Sequence, residues 1–191
     1  SYKTHNGISG DIYQGLIAPF EGFWIQTLNL DSSDFIFDYE SMGVNSYGNS
    51  GRNTSTPSDS TGYGVITFES GGYESSVYVS LSESGDVNLD PADARRIVPM
   101  QPSTHLTSMI YESGKSLSIN NLPFNLNNDV MYPLDVMMLE VTETGYETQE
   151  AEIDISFDLA QLPEGIMLAL RDNNTGDMMY LEGSSLETSL Q

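Results

Sequence analysis

Cysteine is absent from this chain of 191 residues. The absence excludes disulfide bonds, thiolate zinc sites and cysteine nucleophiles. It does not identify a cellular compartment, because exported bacterial proteins without disulfides are common.

Basic residues are scarce: six Lys and Arg stand against 28 Asp and Glu, which gives a formal net charge of -22. A protein that binds the phosphate backbone of nucleic acids needs a basic face, so we exclude a nucleic-acid partner. Anionic membrane surfaces are disfavoured for the same reason. The acidic excess suits a cationic partner or a medium rich in salt or divalent cations, and we favour the halophilic or marine medium.

Long apolar runs are also missing. No run approaches the roughly 18 residues of a membrane helix, so we expect no membrane insertion. Apolar residues nevertheless make up 38% of the chain, with eleven Tyr, seven Phe and one Trp, which is enough for a folded core. We therefore expect one folded module over residues 1–191 rather than a disordered chain.

Alternation of apolar and polar residues with a period of two dominates the sequence and predicts strands. Hairpins are predicted about Ser113-Gly114 and about the turn 172–176, because these residues tolerate positive φ. One or two helical turns are expected at 91–97, and a long polar loop at 44–64. The pattern predicts an all-β fold with very little helix, an antiparallel β-sandwich of the immunoglobulin-like or jelly-roll type. The predicted strands and hairpin segments are 23–30, 34–40, 64–70, 75–83, 107–122, 132–141, 151–159 and 165–183.

Catalytic residues are hard to find in this sequence. The only candidates for a base at neutral pH are His5 and His105, and neither lies in a recognisable catalytic motif. The many acids include pairs such as Asp154 and Asp158, which alternation places on the solvent side of a strand. We therefore predict that the chain is not an enzyme, and a hydrolase is the least favoured of the functions we considered.

The sharpest polar pattern is SGDVNLDPADARR at 84–96. Asp86, Asn88 and Asp90 have the D-x-N-x-D spacing that directs oxygen ligands to one calcium ion, and Asp93 can add another. The stretch departs from an EF-hand loop, because proline occupies the sixth position and isoleucine the twelfth. The alternative is a short capped helix in which Asp90 and Asp93 pair with Arg95 or Arg96.

An aromatic segment, GLIAPFEGFWIQT at 15–27, permits two interpretations. In one, Pro19 ends a strand, Gly22 permits a bulge, and Phe23 and Ile25 enter the core. In the other, Trp24 with Tyr13 or Tyr2 forms a stacking platform for a sugar. A single Trp in the chain favours packing over sugar binding.

The stretch 2–27, YKTHNGISGDIYQGLIAPFEGFWIQT, resembles a recurring segment of secreted Bacteroidetes proteins, the multidomain cargo of the type IX secretion route. In those proteins a variable Tyr- and Gly-rich stretch leads to an Ile-x-Pro-[Phe/Met]-[Gln/Glu]-Gly-Phe-[Phe/Trp]-[Ile/Val] core. The residues that match this core are Ile17, Pro19, Phe20, Glu21, Gly22, Phe23, Trp24 and Ile25.

Four later segments resemble further pieces of the same family, in the same order, so the resemblance extends over most of the chain. The family strands that precede the first motif, and its carboxy-terminal sorting domain, have no counterpart here. We therefore expect the chain to be a piece of a larger exported protein. The four segments are DVNLDPADARRI (86–97), LSINNLP (117–123), YPLDV (132–136) and LALRDNNTGDMMYL (168–181).

The resemblance implies a β-sandwich module of secreted or cell-surface proteins, a module that generally has no assigned activity of its own. We expect a non-enzymatic, extracellular role in structure, adhesion or assembly. We expect no required cofactor, and calcium is the one candidate ion. The stretch 1–12 or the tail 184–191, which alternates like a strand, could fold back onto the sheet of its own chain. Alternatively, either segment could add as a strand to a neighbouring copy and link chains into a fibre. The alternative is a carbohydrate-binding module attached to a polysaccharide-degrading enzyme, with a surface polysaccharide as partner.

Overall fold

The computed structural model describes residues 10, 61–98, 103–126, 128–181 and 188–190 of the chain. These residues form eleven strands and no helix, which confirms the all-β prediction. The strands are β1 (Thr61–Ser70), β2 (Tyr73–Ser82), β3 (Ala94–Arg95), β4 (Ser103–Glu112), β5 (Lys115–Pro123), β6 (Leu134–Val141), β7 (Tyr146–Gln149), β8 (Ile153–Gln161), β9 (Leu168–Arg171), β10 (Met178–Leu181) and β11 (Thr188–Leu190). No helix among these residues is long and apolar enough to cross a membrane.

Nine strands form one sheet with the order β11-β8-β1-β2-β5-β4-β6-β7, and β3 pairs with β5 outside this path. The pairs are antiparallel except one, because β2 and β5 run parallel, with Tyr78 opposite Ile119 and Leu81 opposite Leu122. The prediction of a purely antiparallel sheet is therefore wrong at this pair. A parallel pair needs a long crossover connection, and residues 83–114, which include β3 and β4, supply it.

Tight turns connect two of the antiparallel pairs. Ser113 and Gly114 adopt φ values of 48° and 76° between β4 and β5, and Gly71 and Gly72 adopt 56° and 83° between β1 and β2. Positive φ at both central residues is the type I′ geometry that matches the twist of a hairpin. The hairpin predicted about Ser113-Gly114 is confirmed, and so is the hairpin of β9 and β10.

The large sheet curls into a half-barrel. Although β5 separates β2 from β4 in the strand order, the backbone nitrogen of Ser108 on β4 donates a 2.9 Å hydrogen bond to Oγ of Ser75 on β2. The hydroxyls of the same two serines lie 2.9 Å apart. The β2–β5 ladder covers only Tyr78–Ser82 and the β4–β5 ladder only Ile110–Glu112, so Ser75 and Ser108 lie beyond the residues that β5 pairs and link β2 directly to β4.

The core lies inside this curl. Phe68, Val77, Leu117 and Ile155 are each at most 2% exposed. The separate two-stranded sheet of β9 and β10 packs Leu168, Leu170, Met179 and Leu181 against the same core. Apolar side chains of the nine-stranded sheet thus meet a small second layer, and burial of this surface is the main driving force for folding.

Two predicted elements differ in the structure. The helix expected at 91–97 is replaced by a turn at Pro91 and Ala92 followed by β3, because the Asp90 carboxylate accepts a hydrogen bond from the Ala92 nitrogen and closes a tight loop. The last four residues of the loop expected at 44–64 belong instead to β1. The remainder of that loop, and the strands predicted at 23–30 and 34–40, lie outside the described residues.

Candidate functional site

The crossover loop 83–93 lies directly on the backbone of β5. The nitrogen of Gly85 donates a 3.2 Å hydrogen bond to the carbonyl of Ser82, which turns the chain sharply after β2. A Cβ atom at Gly85 would collide with the carbonyl group of Leu122 and would lie 2.8 Å from the nitrogen of Pro123. Only glycine permits so close an approach of loop and strand.

Asp90 organises this loop from within. Asp90 is only 6% exposed, and the loop folds around its carboxylate. Oδ1 accepts a 2.6 Å hydrogen bond from the Ala92 nitrogen, and Oδ2 accepts a 3.0 Å hydrogen bond from the Asp86 nitrogen. One buried side chain thus satisfies two backbone donors of the loop.

Asp93 links the loop to the sheet through two hydrogen bonds. Its Oδ2 accepts a 2.7 Å hydrogen bond from the Asp90 nitrogen, and its Oδ1 accepts one of the same length from the backbone nitrogen of Asn121 on β5. The buried Asp93 carboxylate therefore bridges two segments that are 28 residues apart.

Asn121 completes the cluster from the side of the sheet. Its amide nitrogen donates to Oδ2 of Asp90 at 2.9 Å and to Oγ of Ser82 at 3.1 Å, and its amide oxygen accepts from Oγ of Ser80 at 3.1 Å. We call Ser80, Ser82, Asp90, Asp93 and Asn121 the Asn121 cluster. It ties β2, β5 and the crossover loop together exactly where the only parallel pair of the described sheet lies.

Burial raises the pKa of Asp93 to about 6 from its ordinary 3.8. The negative charges of Asp90 and Glu112 add to this rise, while the hydrogen bonds from the backbone of Asn121 and Asp90 oppose it. Desolvation penalises the charged form more than the two donors compensate. The cluster therefore contains a carboxyl group that titrates near pH 6.

The four residues predicted to bind calcium do not form one ligand set in the structure. Asp86 and Asn88 are exposed and bond to each other, with the Asn88 nitrogen 2.9 Å from Oδ1 of Asp86. Asp90 and Asp93 are buried and accept hydrogen bonds from the loop and β5. In the part of the chain that the structure describes, no group of three or more His, Asp or Glu side chains could hold a metal ion. A calcium site at Asp86, Asn88, Asp90 and Asp93 stays a prediction.

Of the remaining candidates from the sequence, only His105 lies among the described residues. His105 lies on β4 and is 7% exposed, and burial lowers its pKa. Its position makes it a side chain of the interior rather than a base that faces a substrate. Trp24, Tyr13 and His5 lie outside the described residues.

Both ends of the long sheet are formed by short strands. At one end, β11 pairs with β8 through only three residue pairs, Thr188 with Ile155, Ser189 with Asp154 and Leu190 with Ile153. The strand predicted in the tail is thus present, and it lies on the sheet of its own chain. At the other end, β7 pairs with β6, and all four of its residues are exposed.

The hairpin of β9 and β10 turns an apolar surface outward. Met167, Met178 and Tyr180 are 74%, 46% and 57% exposed. Tyr180 lies opposite Ala169, and Met178 lies opposite Arg171. We call these five residues the outer hairpin face.

Several residues of the site were missed in the sequence. Asn121 and its neighbour Asn120 occur in β5 between the apolar Ile119 and Leu122, and Ser80 and Ser82 alternate with Val79 and Leu81. Two asparagines in a buried strand are an uncommon signal, because buried amides need hydrogen-bond partners. That signal could have identified β5 as the strand that the acidic loop covers.

Comparisons of the chain with protein-family models, with curated proteins and with solved structures gave no match.

Proposed function

We propose that the chain is a non-enzymatic, extracellular β-sandwich module with a structural, adhesive or assembly role at the cell surface, and that it associates with other copies by strand exchange. The resemblance to type IX secretion cargo motivates the location. The acidic composition, with a net charge of -22, fits a medium in which salt screens the repulsion between charges.

The observation that carries the assembly role is the pairing of β11 with β8. The strand comes from the carboxyl end of the chain, and it covers β8 only from Ile153 to Ile155. Three residue pairs make a weak attachment, since each backbone hydrogen bond contributes only about 0.5–1.5 kcal/mol net. A short terminal strand on a sheet edge can pair with β8 of a neighbouring copy through the same hydrogen bonds.

The sandwich architecture is supported by the two layers around the common core. The hairpin of β9 and β10 packs against apolar residues of the nine-stranded sheet, as the second sheet of a sandwich does. We propose that this hairpin belongs to the smaller sheet of the sandwich.

The hydrogen bonds of the Asn121 cluster support the non-enzymatic assignment. The Asn121 cluster is buried, and its carboxylates accept hydrogen bonds from backbone nitrogens and from the Asn121 amide. Such a cluster specifies how a loop and two strands fit together. Its role is structural.

Light scattering tests the assembly role. We expect the full chain to form species larger than a monomer as its concentration rises, and a variant that lacks residues 184–191 to remain monomeric. A chain that is monomeric at all concentrations, both with and without the tail, would contradict the proposal. Far-UV circular dichroism of the shortened variant checks that the sheet is retained.

The second candidate is a carbohydrate-binding module, and the outer hairpin face favours it. Tyr180 is 57% exposed on β10, opposite the small Ala169 and on the same face as Arg171. An exposed ring beside a small residue offers a flat surface on which a sugar can stack. Binding of soluble polysaccharides that is lost in Tyr180→Ala, but kept in Tyr73→Ala, would favour this function over assembly.

A further inference from the structure

The second layer of the fold is small within the described residues. It consists of β9 and β10, two strands of four residues each, whereas the sheet opposite has nine strands. A two-stranded hairpin alone is marginally stable in water, and three or more strands with an apolar face are the usual minimum. Each of the two strands has one edge that pairs with no strand in the part of the chain that the structure describes. Native proteins normally cover such an edge with another segment.

This hairpin covers the core only in part. Several apolar side chains of both layers pack against the fully buried core but are themselves only partly buried. Apolar surface that water still reaches adds to stability once another apolar segment covers it. The second layer can therefore take further strands beside β9 and β10. The partly buried residues include Leu168, Leu170 and Met179 on the hairpin, and Val79, Leu134, Val136, Ile153 and Leu159 on the nine-stranded sheet.

The amino-terminal part of the chain joins the large sheet beside this hairpin. β1 begins at Thr61. A Cβ atom at Gly62 would lie 2.7 Å from Cδ of Pro163, in the connection from β8 to β9. A Cβ atom at Gly64 would lie 3.1 Å from Cδ1 of Leu168, the first residue of β9. The residues that precede β1 therefore join it at the place where the chain leads into β9.

Residues 23–40 lie outside the described residues, and their sequence predicts a hairpin. The predicted strands 23–30 and 34–40 are joined by three residues, a length typical of a β-hairpin loop. Phe35 and Phe37 share one face of the second predicted strand, because side chains alternate along a strand. The 20 residues from 41 to 60 span up to roughly 65 Å, so the segment reaches either edge of the described hairpin.

We propose that residues 23–40 of the same chain add as two strands to the sheet of β9 and β10. The small sheet then has four strands, and Phe35 and Phe37 cover partly buried apolar residues of the core. This inference deepens the proposed β-sandwich, and it rests on that architecture and not on exchange of β11 between copies. The outward side chains of Met178 and Tyr180 stay at the surface, because strands add at an edge of the sheet.

Photo-cross-linking in the full chain tests the proposal. Benzoylphenylalanine in place of Tyr180 on β10, or in place of Arg171 on β9, puts a reactive group on the outward side of each strand. We expect mass spectrometry of the irradiated monomer to show cross-links to residues 23–40 from at least one position, because opposed side chains of neighbouring strands have Cβ atoms about 4.5–5.5 Å apart. The same group in place of Tyr146 on β7 is the matched control, since Tyr146 and Tyr180 are both 57% exposed.

The control position should give no cross-link to residues 23–40. Cross-links from the hairpin only to other segments, cross-links only between two copies, or none at all would overturn the proposal, and so would equal cross-linking from the control position. A variant that lacks residues 184–191 should give the same internal cross-links. Failure of strand exchange through β11 would therefore leave this result unchanged.

Two substitutions test whether the segment covers the core. Phe37→Ala should lower the thermal midpoint by at least about 6 °C. Ile36→Ala, on the opposite face of the predicted strand, should lower it by less than about 2 °C. Amide exchange at Met178–Leu181 should become at least about tenfold faster in Phe37→Ala only, because β10 loses its support. Equal midpoints and equal exchange in the two variants would contradict the proposal. Should Phe37→Ala not fold, the cross-linking of the full chain decides.

Discussion

The carboxylate of Asp93 accepts a 2.7 Å hydrogen bond from the backbone nitrogen of Asn121, 28 residues further along the chain. Through this contact the crossover loop is bound to β5, the strand that runs parallel to β2. Asn121 then reaches Asp90 on the loop and Ser82 on β2 with its own amide. The hydrogen bond between Asp93 and Asn121 thus holds the crossover loop against the one parallel strand pair of the described sheet.

Replacement of Asn121 tests the importance of the cluster. Asn121→Ala should lower the free energy of unfolding by about 2–4 kcal/mol, because buried groups of Ser80, Ser82 and Asp90 each lose one hydrogen bond and a cavity remains. Urea denaturation measures the change. Asn88→Ala, which removes only exposed contacts to Asp86, is the control and should cost less than about 0.5 kcal/mol. Equal changes in the free energy of unfolding for the two substitutions would show that the Asn121 cluster contributes little to stability.

A methyl group at Gly85 tests the close approach of the loop to β5. Gly85→Ala should destabilise the protein by about 2 kcal/mol or more, because the new Cβ meets the rigid backbone of Leu122 and Pro123. Gly176→Ala is the matched control: this turn residue has a φ of 81° but open space around it, so only backbone strain of about 1 kcal/mol is expected. Thermal unfolding of both variants gives the comparison, and a milder effect at Gly85 than at Gly176 would contradict the packing described for the loop.

Much of the sheet follows from alternation in the sequence, as β8 illustrates. Ile155 and Phe157 are buried, while Asp154 and Asp158 are exposed, as a period of two requires. The turn at Ser113-Gly114 was equally predictable, because its type I′ geometry needs residues that tolerate positive φ.

The parallel pairing and the Asn121 cluster were not predictable in the same way. Which strand becomes the neighbour of β2 depends on how the crossover loop closes, and that closure depends on contacts between residues distant in sequence. The spacing of Asp90 and Asp93 indicated a loop rich in carboxylate oxygens. It could not show that backbone N–H groups donate hydrogen bonds to those oxygens. The short strand β7 was missed because Tyr146, Glu147, Thr148 and Gln149 are all exposed and carry no apolar alternation.

The raised pKa of Asp93 makes a specific contribution to the pH dependence of stability. Because its folded pKa is about 6 against an ordinary 3.8, the native state binds its proton more tightly than the unfolded state does. Its contribution is therefore fully present below about pH 3.8 and is lost as pH rises to about 6. The loss should amount to about 1–3 kcal/mol.

Comparison with Asp93→Asn isolates this effect, because the other titrating groups are common to both proteins. Urea midpoints measured from pH 3.5 to 7 should show the difference in stability between wild type and variant changing across this interval. A constant difference at all pH values would mean that Asp93 titrates normally. Asp154→Asn provides a control for the removal of an exposed carboxylate.

The excess of 22 negative charges should make stability depend on salt. Added NaCl screens repulsion among surface acids, so we expect the thermal midpoint to rise between about 0.02 M and 0.5 M and then to level off. The same screening should promote association between copies, which carry charge of the same sign. A midpoint indifferent to NaCl would show that the charges are dispersed well enough to need no special medium.

The central claim, strand exchange through β11, is tested most directly by a disulfide across the β8–β11 pair. Residues 154 and 189 lie opposite each other in the β8–β11 pair. Because the chain has no cysteine, Asp154→Cys combined with Ser189→Cys introduces the only two thiols, and they face each other across this pair. After incubation at high concentration and mild oxidation, a non-reducing gel should show a ladder of covalently linked copies beside the internally linked monomer. The ladder should disappear on reduction, and each single-cysteine variant should give nothing larger than a dimer. Internally linked monomer alone, at every concentration, would contradict exchange of β11 between copies.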